Sequence, residues 1–195
     1  MAKNLEIEAK FLLNKEDFDK IVAHFLITDF FSQTNYYFDT TDFKLISSHC
    51  AMRIRHTAEN EYEATTKVPS GDGLIETNVI VPYATFNSLI NDKIIIIDEI
   101  EKVLNTIGLS QNNLHFFAKL TTKRATTKYK IGELFFDEST YFDKTDYEIE
   151  YEVSTNLEEA NNILFDLFKE LNITSYHKGY SKIKRCIDYK KNKKM

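Results

Sequence analysis

Charged side chains recur at every second residue in three short segments of this 195-residue chain. The alternating charges are, in chain order, Glu6, Glu8 and Lys10, then Arg53 and Arg55, then Glu148, Glu150 and Glu152. Successive side chains of a β-strand point to opposite faces, so each segment would place its charges on one face of a sheet. Clustered carboxylates can hold a hard divalent cation, while arginine and lysine can bind phosphate oxygens. The spacing therefore predicts a site for metal ions and a polyanion.

Other strand-like segments extend this pattern of alternation. Side chains that share a face are Glu63, Thr65 and Lys67, then Glu76 and Asn78, then Thr122 and Arg124, then Phe135 and Asp137, with Lys182 on the last segment; all but Phe135 are polar. The opposite faces are apolar and need a cover of helices. If the helices pack outside the sheet, the charged faces point inward, where buried ions are costly unless they are paired or ligated. A hydrated cavity that holds a charged ligand removes this objection.

The elements that must position these residues are strands joined by short turns, with helices inserted between them. The expected strands cover 4–13, 35–40, 51–57, 61–68, 74–81, 115–130, 132–142, 146–154 and about 180–188. Helical spacing predicts a helix at about 15–26 after Asn14, helical structure within 84–108, and a helix that begins at the cap residue Asn156. Pro69–Gly73 and Ala58–Asn60 are the expected turns, and Ile94–Ile97 fits both a strand and a helix. Consecutive strands with short turns favour antiparallel pairing and a closed or nearly closed barrel.

Composition limits the classes of protein to which the chain can belong. A hydrophobic fraction of 43% over 195 residues supports one folded domain spanning 1–195, with a basic tail at about 189–195 that we expect to be frayed. The net charge of −5 argues against a nucleic-acid-binding protein. The sequence shows neither a signal peptide nor an apolar run of membrane-spanning length, which predicts a cytoplasmic protein with no membrane partner.

Taken in chain order, these motifs resemble the CYTH superfamily of triphosphate tunnel metalloenzymes, which includes class IV adenylate cyclases, thiamine triphosphatases and inorganic triphosphatases. The matching segments are Glu6-x-Glu8-x-Lys10, Tyr37-Phe38-Asp39-Thr40, Arg53-x-Arg55, Thr66-Lys67, Glu76, Thr122-Lys123-Arg124, Asp137, Glu148-x-Glu150-x-Glu152 and Ser181-Lys182. The layout is most similar to the short bacterial branch. The resemblance implies an α+β fold, an antiparallel eight-stranded β-barrel that forms a triphosphate tunnel with helices packed outside.

The same resemblance implies a role for each charged residue. The residues expected to bind the triphosphate are Lys10, Arg53, Arg55, Lys67, Arg124 and Lys182. The residues expected to hold the cofactor, Mg²⁺ or Mn²⁺, are Glu6, Glu8, Asp137, Glu150 and Glu152. Glu76 joins the acidic set without an assigned role, and Glu148 is expected at the rim of the tunnel.

Lys67 is the expected catalytic residue, because some triphosphatases of the family use a lysine–tyrosine pair to activate water. Tyr36 and Tyr37 alternate faces, so at most one can face the tunnel, and Tyr37 is the candidate partner. Where some members have Lys-x-Arg, this chain has Thr122-Lys123-Arg124. Lys123 has the wrong parity to replace that lysine, so Lys178 is considered as the substitute.

The resulting functional hypothesis is metal-dependent hydrolysis of inorganic triphosphate, thiamine triphosphate or a nucleoside triphosphate. One alternative is an adenylate cyclase that converts ATP to cyclic AMP and pyrophosphate. Another is a non-catalytic module that binds polyphosphate or a nucleotide. The expected partner is a small-molecule triphosphate or polyphosphate rather than a nucleic acid. The sequence does not decide between a monomer and a homodimer.

Overall fold

The computed structural model describes residues 2–57, 61–71 and 73–193, with side chains described from residue 7 onward. Within these residues the strands are β1 (Ala2–Leu13), β2 (Phe31–Asp39), β3 (Ala51–His56), β4 (Tyr62–Ser70), β5 (Gly73–Val81), β6 (His115–Tyr129), β7 (Gly132–Tyr141), β8 (Lys144–Val153) and β9 (Tyr176–Lys178). The helices are α1 (Lys15–His24), α2 (Lys44–Ser47), α3 (Tyr83–Ile90), α4 (Asp98–Thr106), α5 (Leu157–Glu170) and α6 (Lys182–Asn192). The predicted α+β class with antiparallel strands is confirmed, and the described residues contain nine strands.

The chain forms two compact units. The first unit comprises Met1–Leu5, Gln33–Leu120 and Ser181–Met195, and the second comprises Glu6–Ser32 and Thr121–Tyr180. In the first unit, β2, β3, β4 and β5 pair in that order as an antiparallel meander. In the second unit, the order is β6, β7, β8, β1 and β9, again antiparallel.

The core of the second unit lies between its strands and the helices α1 and α5. Leu134, Phe136, Ile149 and Tyr151 have no exposed side-chain area, because they fill the apolar face of β7 and β8. Phe18 and Ile21 of α1, with Leu164, Leu167 and Phe168 of α5, belong to the same buried cluster. The predicted caps begin both helices: Asn14 Oδ1 accepts from the Asp17 N–H at 2.8 Å, and Asn156 Oδ1 accepts from the Glu159 N–H at 2.9 Å.

The core of the first unit lies between β2–β4 and the helices α3 and α4. Met52, Ile54 and Ala64 are buried on the apolar faces of β3 and β4. They belong to the same buried cluster as Phe86 of α3 and Ile100 and Leu104 of α4. Helices therefore cover the apolar strand faces in each unit, as the alternation predicts. Ile94–Ile97 forms neither a strand nor a helix; instead the side chain of Gln111 pairs with backbone groups of Ile95 and Ile97.

The turns between strands agree with the sequence where the structure describes them. β4 and β5 meet at a tight turn in which Ser70 pairs with Gly73, and Gly71 has φ 58°, a left-handed conformation that favours glycine. Asp72 and the predicted connection Ala58–Asn60 lie outside the described residues.

The predicted last strand, about 180–188, is wrong: these residues begin helix α6. Ser181 caps its N-terminus by accepting from the Lys184 N–H, and Ile183, Cys186 and Ile187 are buried at helical spacing. Tyr189–Asn192, expected in a frayed tail, continue this helix. Two lysines attach its end, since Lys190 Nζ donates to the Phe117 carbonyl at 3.2 Å and Lys191 Nζ lies 4.7 Å from the Phe43 ring centre. Lys194 and Met195 lie outside the described residues.

None of the described helices combines the length and the apolar composition needed to cross a bilayer.

Candidate functional site

Strand register brings most of the predicted acids of the second unit onto one face, which we call the acidic face. It consists of Glu8, Lys10, Arg124, Asp137, Glu148, Glu150 and Glu152. On β8, Glu152 pairs with Glu8, Glu150 with Lys10, and Glu148 with Asp137, while Asp137 also pairs with Arg124. Register alone therefore places five carboxylates and two cations side by side.

Three of these carboxylates form a buried cluster. One oxygen each of Asp137, Glu148 and Glu150 lies within 4.8 Å of the others. Asp137 and Glu148 have no exposed area and Glu150 is 7% exposed, so Glu148 is central rather than at a rim. Buried carboxylates repel one another unless a cation is near, and oxygen donors of this kind suit Mg²⁺ or Mn²⁺. The donor set therefore fits a hard divalent cation.

Arg124 already contacts two of the three clustered carboxylates. Its Nε donates to Asp137 Oδ1 at 2.7 Å, and one terminal nitrogen donates to Asp137 Oδ2 and to Glu150 Oε2, each at 2.5 Å. Burial by itself would lower the pKa of Arg124, but the charges of Asp137 and Glu150 raise it above its ordinary value. The guanidinium carbon lies over the Phe135 ring, 4.6 Å from the ring centre, in a cation–π contact.

Lys10 is held in a similar way on the neighbouring strand. Its Nζ donates to Glu8 Oε1 as a close ion pair, and both side chains are largely buried. Burial would lower the pKa of Lys10, but the carboxylates of Glu8, Glu150 and Glu148 raise it above its ordinary value. Lys10 therefore stays an ammonium group within the acidic face.

Glu152 joins the acidic face through its pairing with Glu8, although it is not one of the three clustered carboxylates. The side chain of Glu6 lies outside the described residues. The sequence analysis missed Asp146, which shares the parity of Glu148 and is 8% exposed. Tyr141 donates its hydroxyl hydrogen to Asp146 Oδ2 at 2.6 Å, and parity counting along β8 could have found this carboxylate.

The first unit presents a second polar face, the basic face, made of Asn35, Tyr37, Arg53, Arg55, Thr65, Lys67, Glu76 and Asn78. On β3, Arg53 pairs with Tyr37 and Thr65, and Arg55 pairs with Asn35. On β5, Glu76 pairs with Lys67, and Asn78 pairs with Thr65. The site residues predicted on these strands therefore share this face, and Glu63 has the same parity because it pairs with Arg55.

Glu76 is the counter-ion of the basic face. Its Oε1 forms a close ion pair with Lys67 Nζ and lies 3.9 Å from a terminal nitrogen of Arg53. Burial would raise the pKa of Glu76, but the charges of Lys67 and Arg53 lower it from 4.5 to about 2. The carboxylate therefore stays ionised beside Lys67 and Arg53.

Arg55 is oriented by a residue that the sequence analysis missed. Asn35, 1% exposed, accepts a hydrogen bond on its Oδ1 from Arg55 Nε at 3.0 Å. Arg53 keeps a buried Nε with no hydrogen-bond partner among the described residues. An unsatisfied buried guanidinium nitrogen is costly, so this atom favours an anionic ligand beside it.

The two adjacent tyrosines of β2 separate as predicted. Tyr37 pairs with Arg53 and is 4% exposed, with its ring stacked on Phe117 at 6.4 Å between centres. Tyr36 instead packs on the apolar side, where its ring lies 4.7 Å from that of Phe86. Only Tyr37 of the pair belongs to the basic face, and its partnership with Lys67 stays a prediction.

Three more lysines were considered from the sequence. Lys182 is the first residue of α6 rather than part of a strand, and its role in substrate binding stays a prediction. Lys178 is exposed and pairs with Phe11, a core residue, so its parity differs from that of the acidic face. Lys123 is exposed and pairs with Glu138 at 3.4 Å, which agrees with its predicted parity.

Comparisons with known proteins show the family of the chain. The CYTH domain family model matches residues 4–186. The chain is 32% identical over 163 residues to Putative triphosphatase YjbK of Bacillus subtilis (strain 168), covering 79% of this chain and 80% of that protein.

Solved structures show the same fold. The crystal structure of a putative adenylate cyclase from Bacillus halodurans is 32% identical, with a TM-score of 0.86, covering 95% of this chain and 98% of that one. Putative adenylyl cyclase HpAC1 from Hippeastrum, described with a dominant triphosphatase activity, is 23% identical with a TM-score of 0.75, covering 94% and 95%. The family model spans nearly the whole chain, and the charged strands lie within it. The chain belongs to the CYTH domain family.

Proposed function

We propose that this chain is a divalent-metal-dependent triphosphatase that acts on inorganic triphosphate, thiamine triphosphate or a nucleoside triphosphate. The observation that carries the proposal is the buried carboxylate cluster of Asp137, Glu148 and Glu150 on a face that also holds Lys10 and Arg124. Three carboxylates within 4.8 Å are costly to bury unless cations lie near them, and a divalent cation would add to the compensation that Arg124 gives to two of them. Their hard oxygen donors favour Mg²⁺ or Mn²⁺.

Each carboxylate of the acidic face, together with the predicted ligand Glu6, has a part in this proposal. Asp137, Glu148 and Glu150 would hold the cation, and Glu6, Glu8 and Glu152 would complete or support the donor set. A bound divalent cation polarises phosphoryl oxygens and lowers the pKa of a bound water. The carboxylates keep the donor oxygens in place before substrate arrives, which lowers the reorganisation needed during the reaction.

The basic face would bind phosphate oxygens. Arg53 and Arg55 offer planar guanidinium groups with several donors, and Lys67 offers an ammonium group. These charges would stabilise the negative charge that develops on the transferred phosphoryl group, so catalysis would depend mainly on position and electrostatics. Because the Lys67 side chain is held on this face by its ion pair with Glu76, we propose that Lys67 donates a hydrogen bond to a phosphate oxygen or to the attacking water.

The relative YjbK, at 32% identity over most of both chains, carries a triphosphatase name and supports hydrolysis as the reaction. A second candidate is cyclisation of ATP, since the Bacillus halodurans structure at 32% identity carries an adenylate cyclase name. Both reactions use a triphosphate and a divalent cation, so they differ in the nucleophile and in the product.

A substrate panel tests the proposal directly. Purified protein is incubated with inorganic triphosphate, thiamine triphosphate or ATP, each with a titration of Mg²⁺ or Mn²⁺, while phosphate and cyclic AMP are measured. We expect metal-dependent phosphate release from at least one substrate, and loss of this activity in Asp137→Asn. Cyclic AMP as the main product would favour cyclisation. Tight binding without turnover under every condition would favour a binding module and contradict both enzymatic proposals.

A further inference from the structure

Arg124 contacts the oxygens that a divalent cation would use. Asp137 gives both of its carboxylate oxygens to this guanidinium, and Glu150 gives one. Asp137 and Glu150 are also two of the three members of the carboxylate cluster. A side chain expected to bind phosphate is thus engaged with the residues expected to bind metal.

The contact has a defined geometry. The Arg124 side chain is 14% exposed and that of Asp137 is fully buried, so water screens their attraction only weakly. The guanidinium lies over the Phe135 ring, and the fork of Nε and one terminal nitrogen matches the two Asp137 oxygens. Such bidentate pairs are among the strongest hydrogen-bonded ion pairs.

A divalent cation within this cluster would share its oxygens with the guanidinium. Two positive groups at such close range repel, and a carboxylate oxygen that coordinates a metal is a weaker acceptor for a second cation. The long arginine side chain can swing away by rotating its side-chain bonds, while the strands keep the backbone of the three acidic residues in register. A displaced guanidinium needs a new anion, and the phosphate oxygens of the substrate are the anions that match its fork.

We propose that Arg124 is an exchangeable counter-ion that occupies Asp137 and Glu150 until a divalent cation binds, and then transfers to the phosphate oxygens of the substrate. Cation and triphosphate therefore bind with positive coupling, and Arg124 carries much of it. The Lys10–Glu8 pair is a second cation–carboxylate contact on the same face. This inference rests on the proposed function for its two ligands, Mg²⁺ and a triphosphate.

Calorimetry with two probes tests the coupling. The probes are Mg²⁺ alone and imidotriphosphate, a triphosphate with nitrogen bridges that resist hydrolysis, measured with and without saturating Mg²⁺. In the wild type we expect Mg²⁺ to tighten imidotriphosphate binding about tenfold, within the usual range of coupling between two sites. In Arg124→Gln, Mg²⁺ alone should bind about threefold more tightly because a competing cation is gone. The coupling should then fall to about threefold, since the direct attraction between the cation and the phosphates remains.

Lys123→Gln is the matched control. The substitution removes one positive charge from the residue that directly precedes Arg124 on β6. The Lys123 side chain is exposed and pairs with Glu138. This variant should keep wild-type affinity for Mg²⁺ and wild-type coupling. Weaker Mg²⁺ binding in Arg124→Gln, or full coupling in that variant, would overturn the inference.

A measurement on the wild type does not depend on how well the variant folds. The ¹⁵Nε–H resonance of Arg124 should shift when Mg²⁺ is added alone, and shift again when imidotriphosphate follows. A resonance that responds only to imidotriphosphate would contradict the exchange. If the wild type binds neither probe, the proposed function fails and the inference fails with it. If both bind and the coupling is independent of Arg124, only the inference fails.

Discussion

Lys67 and Glu76 are register partners on β4 and β5, and their side chains form a close ion pair that also lies near Arg53. Lys67 is the expected catalytic lysine, and Glu76 is the acid to which the sequence analysis assigned no role. Because Glu76 is buried against two cations, its charge affects both the stability and the chemistry of the basic face.

The acid sensitivity of folding should depend on Glu76. The pKa of Glu76 falls from 4.5 to about 2 on folding, so its ion pairs stabilise the folded chain fully above pH 4.5, and this stabilisation is lost as pH decreases towards 2. The contribution at neutral pH is on the order of 3 kcal/mol. We expect Glu76→Gln to lower the free energy of unfolding at pH 7 and to approach the wild type near pH 2. Urea unfolding over this pH range measures the difference, and parallel curves for the two proteins would refute it.

Glu8 should affect metal binding more than substrate binding. Its carboxylate pairs with Lys10 and lies opposite Glu152, so Glu8→Gln removes negative charge from the acidic face without changing side-chain size. We expect weaker Mg²⁺ binding by calorimetry and loss of turnover. Glu138→Gln makes the same chemical change on β7, where the side chain pairs with the exposed Lys123, and should leave both properties unchanged. Lost turnover with unchanged Mg²⁺ affinity in Glu8→Gln would mean that Glu8 acts in another way.

Arg55 and Asn35 should act as one unit in substrate capture. We expect Arg55→Ala to raise KM about tenfold or more, as for the loss of a hydrogen bond to a charged group, with an unchanged requirement for metal. Asn35→Ala should raise KM less, because Arg55 remains but loses the acceptor that orients it. In the double variant the two effects should not add, which a double-mutant cycle measures. Additive effects would show that Asn35 does not act through Arg55, and a selective change in the metal requirement of Arg55→Ala would contradict its assignment.

Helix α6 should contribute substantially to stability through its buried side. Ile187 is 2% exposed, so Ile187→Ala should lower the free energy of unfolding by about 2–5 kcal/mol. Lys184→Ala in the same helix removes a surface pair with Asp188 and should cost less than about 0.5 kcal/mol. Chemical unfolding of both variants makes the comparison, and equal small losses would mean that the helix is not packed as described.

Alternation made most of the strand faces predictable, because the side-chain period of a strand is a local property. Glu148, Glu150 and Arg53, for example, lie on the faces that parity assigns to them. Which charges meet across strands depends on register, and register is set by contacts far apart in the chain. The pairing of Arg124 with Asp137 and the orientation of Arg55 by Asn35 therefore became visible only in the structure.

The C-terminal segment shows how local patterns can mislead. Ile183, Arg185 and Ile187 alternate as a strand would, but Ile183, Cys186 and Ile187 also fit one face of a helix. Both periods are present, and the Ser181 cap with burial of that helical face decides in favour of the helix. The complete burial of Glu148 was also not predictable, since the depth of a charged residue depends on what the rest of the fold places over it.

Acids and core residues alternate along β8, so the fold depends on which of its residues point to each side of the sheet. Deletion or insertion of one residue within this strand would exchange its two sides, sending Ile149 and Tyr151 among the carboxylates and three glutamates into the apolar interior. Conservative replacements at single positions are far milder than such a shift. Engineered changes of length should therefore be confined to surface connections, where no such exchange occurs.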